Sequence, residues 1–429
     1  MQWLYRLIAC ALWIGLVLQM TPVAAQLRGH GGPIRALAVS EDGRTALSGS
    51  FDTSAILWDL QRNAAEQVLR LHDSAVNAVA FLNDGRAVTA GGDAVIGIWT
   101  PRKPIPDAIL RGHDGPIVAL AVSPDGATLA SASWDRTVRL WSLVGGPPVV
   151  LEGHQQNVNG VAFVGDGTAV VTAGYDATVR IWPLPQPASP IVAELPTPLN
   201  AVVTAPDGQI AAAGADGHVY FLSRSGERLG AVEASPAPVV ALAISRDGTR
   251  IAAASVNGAA ALIDRKTRSV PRTLAGRGAP TWAVAFFPDG RTLLTGGADR
   301  AIRRWDAETG EPLDPRESGP DDPLAAFAGE PGARVFRACA ACHTLAPDQG
   351  NRAGPSLHGI FGRRIASLQG YNYSEALKHL DIVWTPETLA KLFEVGPARY
   401  TPGTKMPEQR ISSREDREAL VEFLERATR

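Results

Sequence analysis

Residues 29–59 read GHGGPIRALAVSEDGRTALSGSFDTSAILWD, and residues 112–141 read GHDGPIVALAVSPDGATLASASWDRTVRLW. Each stretch contains three short runs of alternating residues, separated by a turn with Asp-Gly and by a second turn at an aspartate. Alternation with a period of two is typical of β-strands, and Asp-Gly favours a tight turn between antiparallel strands. With the strand that leads into the next Gly-His, each unit predicts a four-stranded antiparallel sheet.

The tryptophan that ends each unit recurs at a nearly constant spacing. Successive steps from Trp58 to Trp182 are 41, 42 and 41 residues, and Trp305 follows after a further 123 residues, which is three periods. Two more units therefore lie in between, with Leu222 and Ile263 at the tryptophan position, so seven units are predicted. Since one such sheet cannot bury both of its faces, neighbouring sheets must stack radially into a closed, all-β, seven-bladed β-propeller.

A histidine and an aspartate recur in phase with the tryptophan. Gly-His or Leu-His opens the first four units, and an aspartate or asparagine stands six residues before each tryptophan position. On these residues the region 26–314 resembles WD repeats. In that family the histidine, the turn aspartate, a strand hydroxyl and the tryptophan form a hydrogen-bonded network. The resemblance implies a structural role, rather than catalysis or metal binding, for His30, Asp52, Trp58, His72, Asp93, Trp99, His113, Asp135, Trp141, His154, Asp176, Trp182, Asp299 and Trp305.

The fifth and sixth units depart from this pattern. They lack Gly-His, and Asn257 replaces the aspartate of the sixth unit. One interpretation is sequence drift in blades that their neighbours hold in place, and the other is that altered loops form a surface for a partner. His218 lies outside the repeat positions and is a candidate ligand. The ring could be closed by residues 26–28 or by residues 311–313, and the sequence does not decide between them.

Residues 1–25 have the pattern of a secretory signal peptide. Arg6 supplies a positive charge, Leu7 to Leu18 is an apolar run, and Val23-Ala24-Ala25 offers small residues for cleavage. An uncleaved anchor and lipid attachment at Cys10 are the alternatives. The run is shorter than the roughly 20 residues of a membrane span. We therefore expect an exported protein without a transmembrane span after cleavage, located in the periplasm of a Gram-negative bacterium.

The sequence changes character after the last repeat. Residues 315–330 are rich in proline and predict a short, fairly stiff linker. From 331 to 429 the periodicity is helical, with Thr385 as a predicted helix cap, Pro386 in the first turn, and a capping box at 412–415. The second domain is therefore predicted to be small and all-α.

The chemistry of the helical domain is concentrated at residues 339–343, which read CAACH. Two cysteines at this spacing could form a redox dithiol or half of a zinc site, but the strand-helix setting of the first and the further ligands of the second are not found. The added histidine makes this the attachment sequence of c-type haem. Cys339 and Cys342 are therefore the predicted points of covalent attachment, and His343 the predicted iron ligand.

Further motifs follow in a fixed order: GPSLHG at 354–359, FGRR at 361–364, GYNY at 370–373, Trp384, and PGTKM at 402–406. In this order and spacing the region from Gly332 to the C-terminus is similar to class I cytochrome c, close to the mitochondrial and bacterial photosynthetic carriers. The resemblance implies one covalent haem c per chain, with Met406 as the sixth iron ligand. It also implies that Pro355 supports His343, that Arg363, Tyr373 and Trp384 approach the haem propionates, that Thr404 contacts the distal side, and that Gly332 and Phe336 pack against Leu420 and Phe423.

The axial ligand opposite His343 has alternatives on the residues alone. Met406 is the only methionine left after removal of the signal peptide, and His358 and His379 are the other candidates. Leu377 and Leu392 replace residues that are often asparagine and tyrosine in this family, and Ala398 stands where a lysine for docking is common. The first two changes predict a more apolar pocket, and the third weakens inference about partners from the family.

Composition and charge narrow the function classes. The 429 residues are 45% hydrophobic and 20% charged, with a formal net charge of −2. This composition is typical of globular proteins and argues against a largely disordered chain, and the charge gives no reason to expect a nucleic-acid partner. The three cysteines exclude a disulfide-stapled scaffold.

These features predict an electron carrier rather than an enzyme. One electron would pass through a His/Met-ligated haem, and the propeller would serve as a docking platform for redox protein partners. The alternatives are a multidomain redox enzyme with a second site in the propeller, and a haem-based redox or gas sensor in which a ligand displaces Met406.

Overall fold

The computed structural model describes residues 26–275, 279–314, 324–347, 352–369, 371, 373–404, 406 and 409–429. The predicted signal peptide lies outside the described residues, as do 315–323 of the predicted linker. Gly370, Asn372 and Lys405 of the cytochrome-like motifs also lie outside them. Among the helices in the described ranges, none is long and apolar enough to cross a membrane.

Seven four-stranded antiparallel sheets form the β-propeller that the repeat predicts. Strands of the first four blades, with the N-terminal strand, are β1 (Leu27–Arg28), β2 (Ile34–Val39), β3 (Thr45–Ser50), β4 (Ala55–Asp59), β5 (Ala64–Leu69), β6 (Val76–Phe81), β7 (Ala87–Gly91), β8 (Val95–Trp99), β9 (Ala108–Arg111), β10 (Ile117–Val122), β11 (Thr128–Ser133), β12 (Val138–Ser142), β13 (Val149–Leu151), β14 (Val158–Phe163), β15 (Ala169–Gly174), β16 (Thr178–Pro183) and β17 (Ile191–Glu194). The last three blades contain β18 (Leu199–Thr204), β19 (Ile210–Gly214), β20 (His218–Leu222), β21 (Arg228–Glu233), β22 (Val239–Ile244), β23 (Arg250–Ser255), β24 (Ala259–Asp264), β25 (Ser269–Ala275), β26 (Thr281–Phe286), β27 (Thr292–Gly297) and β28 (Ala301–Asp306).

The N-terminal strand closes the ring. The innermost strands of successive blades contact one another around the ring, and β26 of the last blade contacts β2 of the first. β1 completes the last blade by pairing with β28, with Leu27 opposite Ile302 and Arg28 opposite Ala301. The segment after the last blade is also fastened, because the Asp314 carboxylate accepts hydrogen bonds from the backbone N–H and Nε of Arg304 at 2.8 and 2.9 Å.

The predicted network residues lie together in the first four blades. In the first, His30 Nδ1 lies 2.9 Å from Asp52 Oδ2, and His30 Nε2 lies 2.7 Å from Ser48 Oγ, which also accepts from Trp58 Nε1 at 2.7 Å. All four of these side chains are buried or nearly so. Equivalent contacts join His72, Thr89, Asp93 and Trp99; His113, Ser131, Asp135 and Trp141; and His154, Thr172, Asp176 and Trp182.

The last blade keeps only half of this arrangement. Trp305 Nε1 donates to Thr295 Oγ1 at 2.8 Å, as in the first four blades. Asp299, however, forms an ion pair with Arg303 at 2.5 Å instead of contacting a histidine. The seventh unit contains no histidine at the repeat position, so Asp299 has a different partner from the aspartates of the first four blades, and its structural role stays a prediction.

The fifth and sixth blades use other polar contacts. In the fifth, the Tyr220 hydroxyl donates to Asp216 Oδ2 at 2.5 Å, and burial together with this carboxylate raises the pKa of Tyr220 to about 12. In the sixth, the hydroxyls of Ser235 and Ser255 lie 2.8 Å apart. His218 Nδ1 lies 3.5 Å from the Asp216 carboxylate, and both side chains are more than a third exposed.

The helical domain packs around one apolar core. Its helices are α1 (Pro331–Phe336), α2 (Glu375–Lys378), α3 (Pro386–Val395), α4 (Pro397–Tyr400) and α5 (Arg414–Ala427), with 3₁₀ turns at Ala325–Phe327 and Cys339–Ala341. Gly332 allows α1 and α5 to cross closely, because a Cβ atom there would lie 2.0 Å from the carbonyl oxygen of Ala419. The rings of Phe336 and Phe423 lie 5.5 Å apart at this crossing.

Two boundaries differ from the predictions. The helical core includes buried Leu324, and the ring of Phe327 lies 5.1 Å from that of Phe423, so the core starts before residue 331. These apolar residues are hidden among the prolines and acidic residues of the predicted linker. The last helix is capped by Ser413, which accepts from the backbone N–H of Asp416 at 3.1 Å, one residue later than the predicted box. Thr385 caps α3 as predicted.

Candidate haem site

The CAACH segment forms a tight turn that directs both thiols into one cavity. The backbone N–H groups of Cys342 and His343 each donate to the carbonyl oxygen of Cys339 at 3.0 Å. Both cysteines are unbridged thiols that line the cavity. Burial raises the pKa of Cys339 to about 12 and that of Cys342 to about 11, so both remain protonated at neutral pH.

His343 has one ring nitrogen tied to the backbone. Its Nδ1 lies 2.8 Å from the carbonyl oxygen of Pro355, which can only accept, so Nδ1 carries the proton and Nε2 keeps its lone pair. Gly354 makes room for the ring, because a Cβ atom at this position would lie 2.4 Å from His343 Cε1. Burial lowers the pKa of His343, and Arg70, Arg352 and Arg363 lower it further, so the imidazole is neutral, the form that binds a metal ion.

All the residues predicted for the haem site line one cavity of about 370 Å³. Its walls are mainly apolar, and Leu377 and Leu392 contribute to them, as the departures from the family predict. His358 and His379, the alternative iron ligands, are not part of this lining. The predicted residues that line it are Cys339, Cys342, His343, Pro355, Arg363, Tyr373, Trp384, Thr404 and Met406.

Polar groups on the cavity wall are held in fixed positions. The Arg363 guanidinium donates to the carbonyl oxygens of His358 and Ser356 at 3.1 and 2.8 Å. Trp384 is bonded through its backbone N–H to the Arg363 carbonyl at 2.9 Å. Burial raises the pKa of Tyr373, so its hydroxyl is a neutral hydrogen-bond donor. Thr404 Oγ1 accepts from the backbone N–H of Met406 at 3.1 Å.

The propeller supplies part of the same cavity, which the sequence motifs do not predict. The Gly29 carbonyl accepts from the backbone N–H of Ala353 at 2.8 Å, and the Arg70 guanidinium lies 5.3 Å from the centre of the Tyr371 ring. A Cβ atom on Gly31 would lie 2.2 Å from Cys342 Sγ, so only glycine permits this approach. The propeller residues that line the cavity are Gly31, Gly32, Pro33, Phe51, Asp52 and Arg70.

One signal in the sequence could have indicated this contact. The residue after the repeat histidine is Asp73, Asp114 or Gln155 in the next three units, but Gly31 in the first. A glycine that departs from its repeat often marks a close approach of another part of the chain.

The chemistry of these groups fits a c-type haem. Two neutral thiols lie on one turn, a neutral imidazole keeps one nitrogen for a metal, and Met406 offers a thioether on the wall of an apolar cavity. Cytochrome c of the fungus Cochliobolus lunatus is 44% identical over 99 residues, which are 23% of this chain and 91% of that protein. The chain belongs to the cytochrome c family. Cytochromes c of Arabidopsis thaliana and Stellaria longipes are 44% and 42% identical over 99 residues, and the match spans 88% and 91% of their lengths.

Family models divide the chain into the two parts that the fold shows. The model described as Cytochrome c matches residues 329–428. The model described as WD domain, G-beta repeat matches residues 21–59, 65–100, 105–142, 145–183 and 268–306. The fifth and sixth blades fall between the last two of these matches. The chain therefore joins a seven-bladed WD-repeat propeller to a cytochrome c domain, and the family implies that its cofactor is covalently bound haem c.

These relatives also correct the predicted location. The matched cytochromes c come from fungi and from plants, which points away from the periplasm of a Gram-negative bacterium. The prediction rested on the signal-like pattern of residues 1–25 and on the expectation that c-type haem is attached in exported proteins. The periplasmic assignment is therefore wrong by this comparison.

Proposed function

We propose that this chain is a one-electron carrier with a single haem c, bound through thioether bonds to Cys339 and Cys342 and ligated by His343 and Met406. The propeller would dock protein partners. The observation that carries this proposal is the neutral His343 imidazole, whose Nδ1 is tied to Pro355 while its ring and the Met406 thioether line the same apolar cavity. A cytochrome c domain suggests electron transfer, and WD repeats suggest protein interaction.

Two side-chain ligands favour a carrier over an enzyme. Haem iron with histidine and methionine ligands has a comparatively positive potential and exchanges single electrons. If His343 and Met406 both ligate the iron, they would leave no free position on the metal for a substrate. The work of this chain is then to hold the two ligands in place and to exclude water, which the apolar side chains Leu377 and Leu392 support.

The remaining pocket residues have proposed roles that follow from their contacts. Pro355 orients His343 through its carbonyl oxygen. Arg363 is a fixed cation, because two carbonyl oxygens hold its guanidinium, and it would face the haem propionates with Tyr373 and Trp384. Thr404 would hold the backbone that carries Met406. Within this proposal, residues 26–314 form the docking propeller and the cytochrome domain extends from Leu324.

An optical experiment on the holoprotein tests the proposal. The reduced protein should show the spectrum of a low-spin c-type haem, and carbon monoxide should leave that spectrum unchanged. Met406→Leu should bind carbon monoxide readily and should have a lower reduction potential, because the thioether ligand is lost. His379→Ala is the matched control and should behave like the unaltered protein, since His379 lies outside the cavity lining.

Two outcomes would contradict the proposal. Rapid formation of a carbonyl adduct by the unaltered protein would show an open iron position and favour a sensor or an enzyme. An unchanged potential in Met406→Leu, together with an altered spectrum in His379→Ala or His358→Ala, would transfer the sixth position to a histidine.

A further inference from the structure

The propeller has a second cavity, which the electron-transfer proposal does not use. It has a volume of about 310 Å³ and is lined by residues of several blades, mostly from the innermost strands. We call it the channel mouth and define it by Arg35, Val118, Asn159, Asn200 and Val240, with Trp134, Asn157 and Tyr175 at its edge.

Five residues of the channel mouth occupy the same place in their blades. Each is the second residue of an innermost strand, where a register shift leaves it without a paired partner on the neighbouring strand. The position holds Arg35 in the first blade and Asn77, Val118, Asn159, Asn200, Val240 and Trp282 in the others. Arg35 is therefore the one charged residue in a ring of seven equivalent positions.

The other polar groups of the ring are engaged in holding blades together. Asn159 Nδ2 donates to the carbonyl oxygen of Leu199 at 2.9 Å, and Asn200 Nδ2 donates to that of Val239 at 2.8 Å. Asn159 Oδ1 accepts from Trp134 Nε1 at 3.0 Å. Their hydrogen bonds are thus structural, which leaves Arg35 as the polar group of the ring whose role the fold does not explain.

Arg35 lacks a counter-ion within the described part of the chain. No described carboxylate forms an ion pair with its guanidinium, whereas two carbonyl oxygens hold the guanidinium of Arg363 in the haem cavity. Arg35 is partly buried, and this burial lowers the pKa of its guanidinium because it disfavours the charged form. An arrangement of this kind costs stability unless an anion binds to it.

The edge of the channel mouth is aromatic and accessible. Trp134 and Tyr175 are 47% and 46% exposed. Tryptophan, tyrosine and arginine are the residues that contribute most to binding at protein interfaces. A single cation next to two exposed aromatic rings suits one carboxylate with an apolar neighbour.

The channel mouth lies beside the wall of the haem cavity. Pro33 and Phe51 line the haem cavity, while Arg35 follows Pro33 by two residues and lines the channel mouth. The aromatic rings of Phe51 and Trp282 lie 5.2 Å apart. Trp282 holds the seventh-blade position equivalent to that of Arg35. A protein segment bound at the channel mouth would therefore be adjacent to the cytochrome domain.

We propose that the channel mouth binds the carboxylate of an aspartate or glutamate side chain of a partner protein, with Arg35 as the anion-binding group and Trp134 and Tyr175 as the apolar contacts. This inference rests on the proposed docking role of the propeller and names the chemistry of its partner. A guanidinium can hold a carboxylate through two parallel hydrogen bonds, which gives both affinity and orientation.

Calorimetric titration of the holoprotein tests this assignment with a capped peptide, acetyl-Gly-Leu-Glu-Leu-Gly-amide, whose only charge is the glutamate. The peptide should bind, and the same peptide with glutamine should bind at least tenfold more weakly. Arg35→Gln should weaken binding of the glutamate peptide at least tenfold, and Trp134→Ala should weaken it by a smaller factor. Arg62→Gln is the control, because it removes one positive charge from an exposed side chain in another part of the first blade.

Thermal unfolding of the free variants separates a binding role from a structural one. Arg35→Met should raise the unfolding temperature, because it removes an uncompensated charge from a partly buried site. A marked fall would show that Arg35 stabilises the fold and would overturn the assignment. Absence of peptide binding, or equal binding by Arg35→Gln, would also overturn it. Since these variants keep the haem ligands, their low-spin spectra report on the electron-carrier proposal independently.

Discussion

The first blade and the cytochrome domain each contain a buried histidine, and the two side chains differ in how their ring nitrogens are used. His30 has both nitrogens engaged, Nδ1 with Asp52 and Nε2 with Ser48. His343 has Nδ1 engaged with the Pro355 carbonyl, and among the described residues no group is recorded at hydrogen-bond distance from Nε2. Burial alone thus does not distinguish a structural histidine from a metal ligand. A ring nitrogen that has no hydrogen-bond partner, on a histidine that lines a cavity, does distinguish them.

The largest expected effect is on haem attachment. The double variant Cys339→Ala, Cys342→Ala removes both thiols that could form thioether bonds. We expect all haem to be removed from this variant by acid and acetone, while the unaltered protein keeps its haem under the same treatment. Retention of haem by the double variant would show that the cytochrome site does not use these cysteines.

The next largest effect separates the two histidines directly. His30→Ala removes two hydrogen bonds and leaves Asp52 and Ser48 each short of a partner in a buried site, so the free energy of unfolding of the propeller should fall by about 3 kcal/mol. Its haem spectrum should be unchanged. His343→Ala should abolish the low-spin spectrum instead.

Denaturant unfolding followed by tryptophan fluorescence, together with the optical spectrum, measures both properties on each variant. If His30→Ala alters the haem spectrum as strongly as His343→Ala does, the distinction between a structural histidine and a metal ligand is wrong.

A smaller effect concerns acid stability. Burial alone would raise the pKa of Asp52, but His30 and Ser54 hold it well below its ordinary value. A carboxylate with a depressed pKa in the folded state contributes stability above the unfolded pKa of about 3.9, and this stability is lost as the pH falls below that value. Asp52→Asn should therefore be less stable at neutral pH and should lose less stability on acidification. Urea unfolding at a series of pH values checks this, and an unchanged pH slope in the variant would contradict it.

The smallest effect is expected in the fifth blade, where no histidine network exists. Tyr220→Phe removes one hydrogen bond to Asp216, a carboxylate that is 36% exposed and can be solvated by water. The free energy of unfolding should fall by about 1 kcal/mol. Val219→Ala in the same strand is a control for packing, since it alters the core without this hydrogen bond. A loss as large as that of His30→Ala would mean that blade five depends on its polar pair as strongly as blade one does.

The two regions also differ in how far their sequences predict them. Seven blades follow from the spacing of Trp58 and its equivalents, because each blade repeats the same local pattern. The haem-site residues follow from CAACH and PGTKM, since attachment chemistry and ligand position require particular residues. Ring closure by Leu27 and Arg28 did not follow, because a two-residue strand carries no periodicity and its partner is Ile302, far away in the chain.

Contacts that join separate parts of the chain were the least predictable. The approach of Gly31 to Cys342 depends on how the two domains pack together. In the sequence, its one sign is that the first repeat has a glycine where the next three have an aspartate or a glutamine. The partner of Asp299 could not be predicted for a related reason, because the seventh unit has no repeat histidine and Arg303 forms the ion pair with this carboxylate.

Residues 27–31 contact two separate regions of the molecule, the last blade and the cytochrome domain. Leu27 and Arg28 complete the last blade, and the next residues, Gly29 and Gly31, contact Ala353 and Cys342 of the cytochrome domain. Closure of the ring and seating of the cytochrome domain therefore share one short piece of backbone and are thermodynamically linked. A change that loosens the last blade should therefore also loosen the contact between the domains. During synthesis, β1 cannot pair until the last strand of the propeller, β28, has been made.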